Sequence, residues 1–563
     1  MNNIDDFERS FDDFYNRPSL TTNNRNLALW RVLTVFEDVS FMVFMDYLDQ
    51  ADDEDKHKHE LKVSSFMDAY KFHLKNILKR IYNESDDLTP CTTDKLFQGG
   101  VYRKISKAYS RSELYRLICL HFTALRSGAA KATISNKKIA INYTRSHEVH
   151  TFLQYCGYVK FDVTDLPYHG YEVVARMIKK PPKELINEAR NSCRIEGVKP
   201  VYDFSETVVN YLYEKISPSL IDLPEKWIFP WSTLNEFRYY AKALSALCAN
   251  HIFMNAVATE KYNIRGGGVE NRLFVISQRK LNEQIWKLTE MSATTVEKIT
   301  QHLIYGFGVN NPDPALQPLI PYNDDLILSP FSVTTLNFER NALALHLRLY
   351  SKNFDNQSYL FEKNMTKDFI SRLSNRFRYK TSFKLMHSKG GEIDVVVVDE
   401  MSKCIVICEL KWMLTPADPN EILGKIKESD HKINQAIRKA DESRKQISYI
   451  LKTFNINGTG EGWDVYSFAV FEGFPGVEHY DGTETIALPI DTFFMLLNSS
   501  SSLKVFCEFV KKGDWLPVEG VHYSNHKITY TFGGMQVEID RVELIDLLGY
   551  IFYHIPNSIS DNL

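Results

Sequence analysis

The chain has 563 residues, of which 44% are hydrophobic and 13% aromatic, and its formal net charge is −4. That length exceeds one ordinary domain, and the apolar content excludes a disordered chain. The charge excludes a uniformly basic nucleic-acid coat, so any phosphate-binding character has to be local.

Residues 2–16 are acidic and polar, expected to fray and unlike a secretion leader. Asn26 to Leu48 has helical spacing with Asn23 or Asn24 as a cap. The charge cluster from Asp52 to Glu60 reads as an exposed loop or helix start, and its His57 and His59 as solvated groups, not metal ligands. His59 to Tyr82 and Ser110 to Ser127 read as amphipathic helices. Arg103, Lys104, Lys107, Arg111, Arg116, Arg126, Lys131, Lys137 and Lys138 interleave with Tyr102, Tyr109 and Tyr115. That mixture suits phosphate pairing and base stacking, although a solvated face is the plainer account. Residues 139–180 turn β-prone, at Ile139 to Tyr143 and Tyr171 to Ile178, before the break at Pro181-Pro182. Helical patterns return at Phe204 to Ile216, Ser232 to Lys261 and Gln284 to Tyr305, with a glycine-rich loop at Arg265 to Gly268. Asn310 to Pro321 reads as a linker or surface crossing, Asp325 to Pro330 as a short strand and Thr335 to Tyr350 as a helix.

The next stretch carries the chemistry. Val395 to Val398 and Cys404 to Cys408 are short apolar runs around a polar turn, the pattern of adjacent antiparallel strands inside a sheet. Asp394, Glu409 and Lys411 interrupt that pattern, and Glu409 and Lys411, two apart, share a strand face. Folding about Met401 sets Asp394 opposite Cys408, one residue from Glu409. Two buried carboxylates against one ammonium leave a charge poorly compensated. A divalent cation resolves the imbalance, and hard oxygen donors suit Mg²⁺. A buried ion pair, or a strand end reaching water, is the plainer alternative. Upstream, Ser358 to Phe377 reads as a helix with Glu362 at the start of a face shared with Thr366, Phe369, Leu373 and Phe377. An acid there also suits the helix macrodipole with no further role. Downstream, Asn420 to Thr453 reads as a long helix with Ile422, Ile426, Ile433, Ile437 and Ile447 as core candidates. Residues 361–460 hold 18 Lys and Arg against 13 Asp and Glu, so the positive charge is concentrated here.

The tail offers strands at Trp463 to Val470 and Thr485 to Leu488 and a helix from Ile490 to Leu497. A hairpin follows over Lys527 to Phe532 and Met535 to Asp540, turning on Gly533-Gly534, and a closing helix spans Val542 to Tyr553. The eight cysteines (91, 119, 156, 193, 248, 404, 408 and 507) show no zinc spacing and read as reduced thiols. No apolar run approaches bilayer length, so no membrane partner is expected and the expected location is cytoplasmic.

Asp394, followed fifteen residues later by Glu409-Leu410-Lys411, resembles the D…(D/E)xK signature of the PD-(D/E)xK nucleases, over residues 355–475. Ile393 stands where that signature has proline, and Gln435 is followed by Lys439 where some branches have an aromatic. The resemblance implies an α/β fold, with a mixed-sheet nuclease-like domain over 321–500. A large, mostly helical region precedes it, in two parts (1–180 and 181–320), and a small α+β extension follows over 501–563. It also implies Mg²⁺, with Mn²⁺ as substitute, held by Asp394, Glu409 and the Leu410 carbonyl and completed by Glu362. Lys411 would orient or deprotonate the attacking water, and Gln435 would position substrate. The implied activity is hydrolysis of phosphodiester bonds in DNA, with endonuclease cleavage expected and RNA as the other substrate. The helical region is then a substrate-binding or regulatory module, with a protein partner or a second copy as candidate occupants. Two alternatives stand beside this: a host-defence effector nuclease restrained by its amino-terminal part, and a non-catalytic nucleic-acid-binding or scaffold protein on a nuclease fold.

Overall fold

The computed structural model describes residues 4–16, 22–50, 56–91, 99–144, 169–196, 199–217, 223–263, 272–373, 375–386, 391–416, 419–473 and 485–545. The chain is mixed α/β, with a helix-rich amino-terminal region and mixed sheets. Two contact units gather segments that are separated in sequence. One comprises Met1–Phe11, Ile118–Phe161 and Ser358–Leu563, and the other Asp12–Leu117 and Asp162–Gln357. The expected boundaries at 180, 320 and 500 are positions along the chain, whereas each unit closes its core over several stretches of it. No helix among the described residues is long and apolar enough to cross a membrane.

The second unit is organised on the helix Leu234–Lys261, which starts with a Thr233/Glu236 capping box. Its middle, from Ala243 to Met254, is buried on all sides, as expected for a central core helix. Val174 and Met177 pack into the same core. They lie on the helix His169–Lys179, so the strand expected over Tyr171 to Ile178 is not present. The β-branched residues favoured a strand locally, but apolar side chains one turn apart bury better as a helix beside Leu234–Lys261. The helix expected over Gln284 to Tyr305 is two helices, Gln278–Thr289 and Ala293–Leu303. Glu290 is left-handed between them (φ 55°) and Ser292 caps the second. The loop at Arg265 to Gly268 lies outside the described residues.

The first unit contains a five-stranded sheet. Its strands are β1 (Arg378–Phe383), β2 (Ile393–Asp399), β3 (Cys404–Trp412), β4 (Asp464–Glu472) and β5 (Thr485–Pro489), in that spatial order. The first three are antiparallel and the last two join parallel to β3. Helix α1 (Ser351–Arg372) precedes the sheet, α2 (Pro419–Arg444) and α3 (Ile447–Thr453) connect β3 to β4, and α4 (Ile490–Ser499) and α5 (Leu503–Lys512) follow β5. Val395, Val397, Val406, Cys408 and Phe468 face one way, against Met365 and Phe369 of α1, Phe493 of α4 and Phe506 of α5. Val396, Val398, Ile405 and Ile407 face the other, against Ile450 and Leu451 of α3. Cover on both faces explains why β2 and β3 read as unbroken apolar runs. The expected long helix ends at Arg444, and α3 begins separately at Ile447. Of its proposed core residues Ile433 is fully buried, while Ile422, Ile426, Ile437 and Ile447 are half-buried.

The carboxy-terminal strands Tyr523–Phe532 and Met535–Leu544 form the expected hairpin, with both turn glycines at positive φ. The second strand also pairs in parallel with Lys138–Tyr143, Gln536 opposite Lys138 and Ile539 opposite Ile141. Phe11 stacks on Phe532 at 4.0 Å between ring centres. The tail is therefore one layer of a sheet that includes residues 130–143. Of the closing helix expected over Val542 to Tyr553, Val542 to Leu544 are strand, and the positions from 546 on lie outside the described residues.

Candidate functional site

The site is built at the end of β2 and β3 remote from their turn. The turn spans Glu400 to Lys403, with Lys403 left-handed (φ 49°) and the ladder closing on Asp399 opposite Cys404. Asp399 holds it, accepting from Met401 N–H at 3.1 Å and from Ser402 Oγ at 2.7 Å. This turn places Val395, not Asp394, opposite Cys408. The shift of one residue matters, because it turns every side chain to the other face. The register expected from folding about Met401 would point Asp394 away from Glu409. The observed register puts the two on the same face.

Asp394 Oδ2 accepts from Leu410 N–H at 2.8 Å, where the paired ladder between the strands has ended. Glu409 is fully buried (0% exposed) and Asp394 is about a third exposed (30%). Their charges are met from α2. Lys432 Nζ lies 2.8 Å from Asp394 Oδ2 and 2.9 Å from Glu409 Oε2. Lys439 Nζ lies 2.6 Å from Glu409 Oε1 and donates to the Glu392 carbonyl at 2.6 Å. The two lysines are seven residues, two helical turns, apart on the stripe that carries Ser429, Ile433, Ala436, Ala440 and Ser443 into the sheet. The small side chains among them, Ser429, Ala436, Ala440 and Ser443, let the helix lie close enough for the ammonium groups to reach β3. Burial alone would lower the pKa of Lys432. The carboxylates of Asp394 and Glu409 outweigh it and hold the ammonium above its ordinary value. Burial, with the same two acids next to it, pushes the Cys408 thiol well up, so it is an inert core thiol.

The remaining expected residues sit differently. Lys411 pairs with Glu362 Oε1 at 3.2 Å. Glu362 is exposed, on the flank of the stripe formed by Phe361, Met365 and Phe369, and not on an apolar face as the spacing suggested. Gln435 Nε2 meets His431 Nε2 at 2.9 Å, and among the described residues no hydrogen bond joins it to either carboxylate. Leu410 contributes its N–H to Asp394, and its side chain enters the core on the opposite face. The sequence reading missed Lys432 and Lys439, although two lysines at this spacing on the apolar stripe of a helix are themselves a signal, since lysine is seldom buried unpaired.

No group of three or more His, Cys, Asp or Glu able to hold a metal occurs among the described residues. The set available is two carboxylates, and Mg²⁺ is commonly held by one or two carboxylates plus substrate phosphate oxygens. Among the described residues no donor meets Glu409 Oε2 within hydrogen-bond angles, and Lys432 Nζ, 2.9 Å away, pairs with it by charge. Asp394 and Glu409 thus aim at one point, which an ammonium holds and which suits a hard cation. The charge imbalance read from the sequence is absent, because two lysines, not one, answer the two acids.

Compared with known proteins, the chain matches no family model, no curated protein and no solved structure.

Proposed function

We propose that the chain is a divalent-metal-dependent phosphodiesterase acting on DNA, with RNA as the other substrate to be tested. One observation carries this reading: Asp394 and Glu409, on neighbouring central strands, converge on a single cation position at the edge of the core. Asp394 and Glu409 are the residues that would hold Mg²⁺ or Mn²⁺, with the Leu410 carbonyl as a further donor implied by the resemblance. A bound divalent ion supplies Lewis acidity toward a phosphate oxygen and lowers the pKa of a bound water. Lys411, a third exposed and held by Glu362, stands at the rim, where an ammonium can orient a water and offset charge developing on the phosphate. Lys439 pairs with Glu409 and fixes its carboxylate in a dry environment. The local excess of basic residues over 361–460 suits a polyanion.

The pairing of both acids with lysines supports a second reading, a nucleic-acid-binding protein with no catalysis, in which the same four charges are a structural network. Incubation with linear single- and double-stranded DNA and with RNA, in Mg²⁺, in Mn²⁺ and in EDTA, separates the two. Metal-dependent products that Lys411→Ala loses support the enzyme. Retarded mobility without products, in every ion, supports the binding protein.

A further inference from the structure

Lys432 and Lys439 answer the same acids but are held unequally. Lys439 is 7% exposed, bonded at once to Glu409 Oε1 and to the Glu392 main-chain carbonyl. Two directed bonds from a buried ammonium make it a fixture. Lys432 is 14% exposed, and its Nζ meets the acids beside the partly open Asp394. One of its two contacts, to Glu409 Oε2, lacks hydrogen-bond geometry. It is the member of the network able to leave.

We infer that Lys432 is a tethered stand-in for the divalent cation, holding Asp394 and Glu409 in place without metal and swinging out of their shared position when the ion enters. The inference rests on the metal-binding part of the proposed function. Charge and space both demand the exchange. With both lysines in place the two carboxylates are neutralised, so adding a divalent ion to the intact network strands two extra positive charges against the core. An ammonium at 2.8 and 2.9 Å from the two oxygens also fills the point that Mg²⁺ would take at about 2.0–2.1 Å from each. Once Lys432 leaves, Lys439 and the ion exceed the carboxylates by one charge, the amount a phosphodiester brings. Metal and phosphodiester binding are therefore linked: the ion binds weakly alone and more tightly with substrate. The tether also keeps the displaced ammonium beside the incoming phosphate, within reach of a non-bridging oxygen.

The test is amine footprinting of the intact wild-type chain with an acetylating ester, read by mass spectrometry, with and without Mn²⁺. Lys432 is expected to be protected in EDTA and acetylated at least tenfold faster in saturating Mn²⁺, with Lys439 protected in both. In parallel, Lys432→Met should bind Mn²⁺ at least tenfold more tightly by calorimetry, and adding Asp394→Asn should abolish that binding. Unchanged Lys432 labelling while Mn²⁺ binds overturns the inference, as does equal or weaker binding by Lys432→Met. Absence of Mn²⁺ binding in both proteins overturns it together with the metal site. Displacement seen without any strand cleavage leaves the inference standing and removes the nuclease reading instead. The labelling arm uses the wild-type chain, so it holds even if Lys432→Met fails to fold.

Discussion

Removing Lys439 tests whether the polar network under β3 is structural as well as electrostatic. Lys439→Met keeps the apolar stem and deletes the ammonium that meets Glu409 Oε1 and the Glu392 carbonyl, each at 2.6 Å. Glu409, with no exposed surface, is then left with Lys432 as its one charged partner among the described residues. Breaking a buried ion pair by removing one member costs about 3–5 kcal/mol, because the remaining charge stays desolvated. Hydrogen exchange of the β3 amides reads that loss locally, which suits a chain with two contact units, where one global unfolding energy is ill-defined. At about 1.4 kcal/mol per factor of ten, exchange in β3 should accelerate by about a hundredfold or more. Glu409→Gln in the same molecule removes the stranded charge and should return most of the protection. An acceleration under about threefold, or no recovery in the double variant, would refute the assignment of Lys439 as the obligatory partner of Glu409.

Two predictions concern stability elsewhere. Burial of Glu37, against hydrogen bonds from Ser329 and from Phe331 N–H, pushes its carboxyl up to about 8 from an ordinary 4.5. The folded state then keeps a proton that the unfolded chain has released, so the stability of the unit containing Glu37 falls as pH rises from about 4.5 through about 8. Thermal melts of the full chain from pH 5 to pH 8.5 should show that decline, and Glu37→Gln should flatten it; identical slopes in both proteins count against the buried neutral acid. Gly473 has φ of 101°, and a Cβ there would lie 1.9 Å from the Met413 carbonyl oxygen. Gly473→Ala must therefore open the close approach where Met413 N–H donates to the Glu472 carbonyl at 2.7 Å. A loss of about 2 kcal/mol or more is expected, seen as a lowered melting temperature, and wild-type stability in that variant contradicts it.

The fold was readable where the signal is local. The hairpin of β2 and β3, the helices around Asn26, Phe204 and Ser232, and the Gly533-Gly534 turn each follow from a short run of residues with one periodicity. Non-local pairing was not readable. Nothing in Met535 to Leu544 indicates that it lies beside Lys138–Tyr143, some 400 positions earlier, because parallel pairing leaves no turn to mark it. The site was legible in its carboxylates and illegible in their surroundings. Asp394 and Glu409 stood out as charges in apolar strands, but which faces they occupy depended on whether the turn takes three residues or four. Glu362 reads as inward-facing because the buried Phe369 and Leu373 lie at helical spacing from it, whereas the buried stripe enters the preceding turns through Phe361 and Met365 and leaves Glu362 on its flank. Lys432 carries no local signal of its own, and Lys439 registers in the sequence only as the residue standing in place of an aromatic, because the value of both depends on how close that helix approaches β3.

The most direct test of the account is conversion of supercoiled plasmid by wild type and by Asp394→Asn, in Mg²⁺, in Mn²⁺ and in EDTA, with hydrogen exchange as the check that the variant is folded. The account predicts nicked or linear product in the divalent ions, none in EDTA, and at least about a hundredfold less from Asp394→Asn, since a metal contributes several kcal/mol of transition-state stabilisation. Equal activity in the folded Asp394→Asn protein, or product in EDTA, would contradict it.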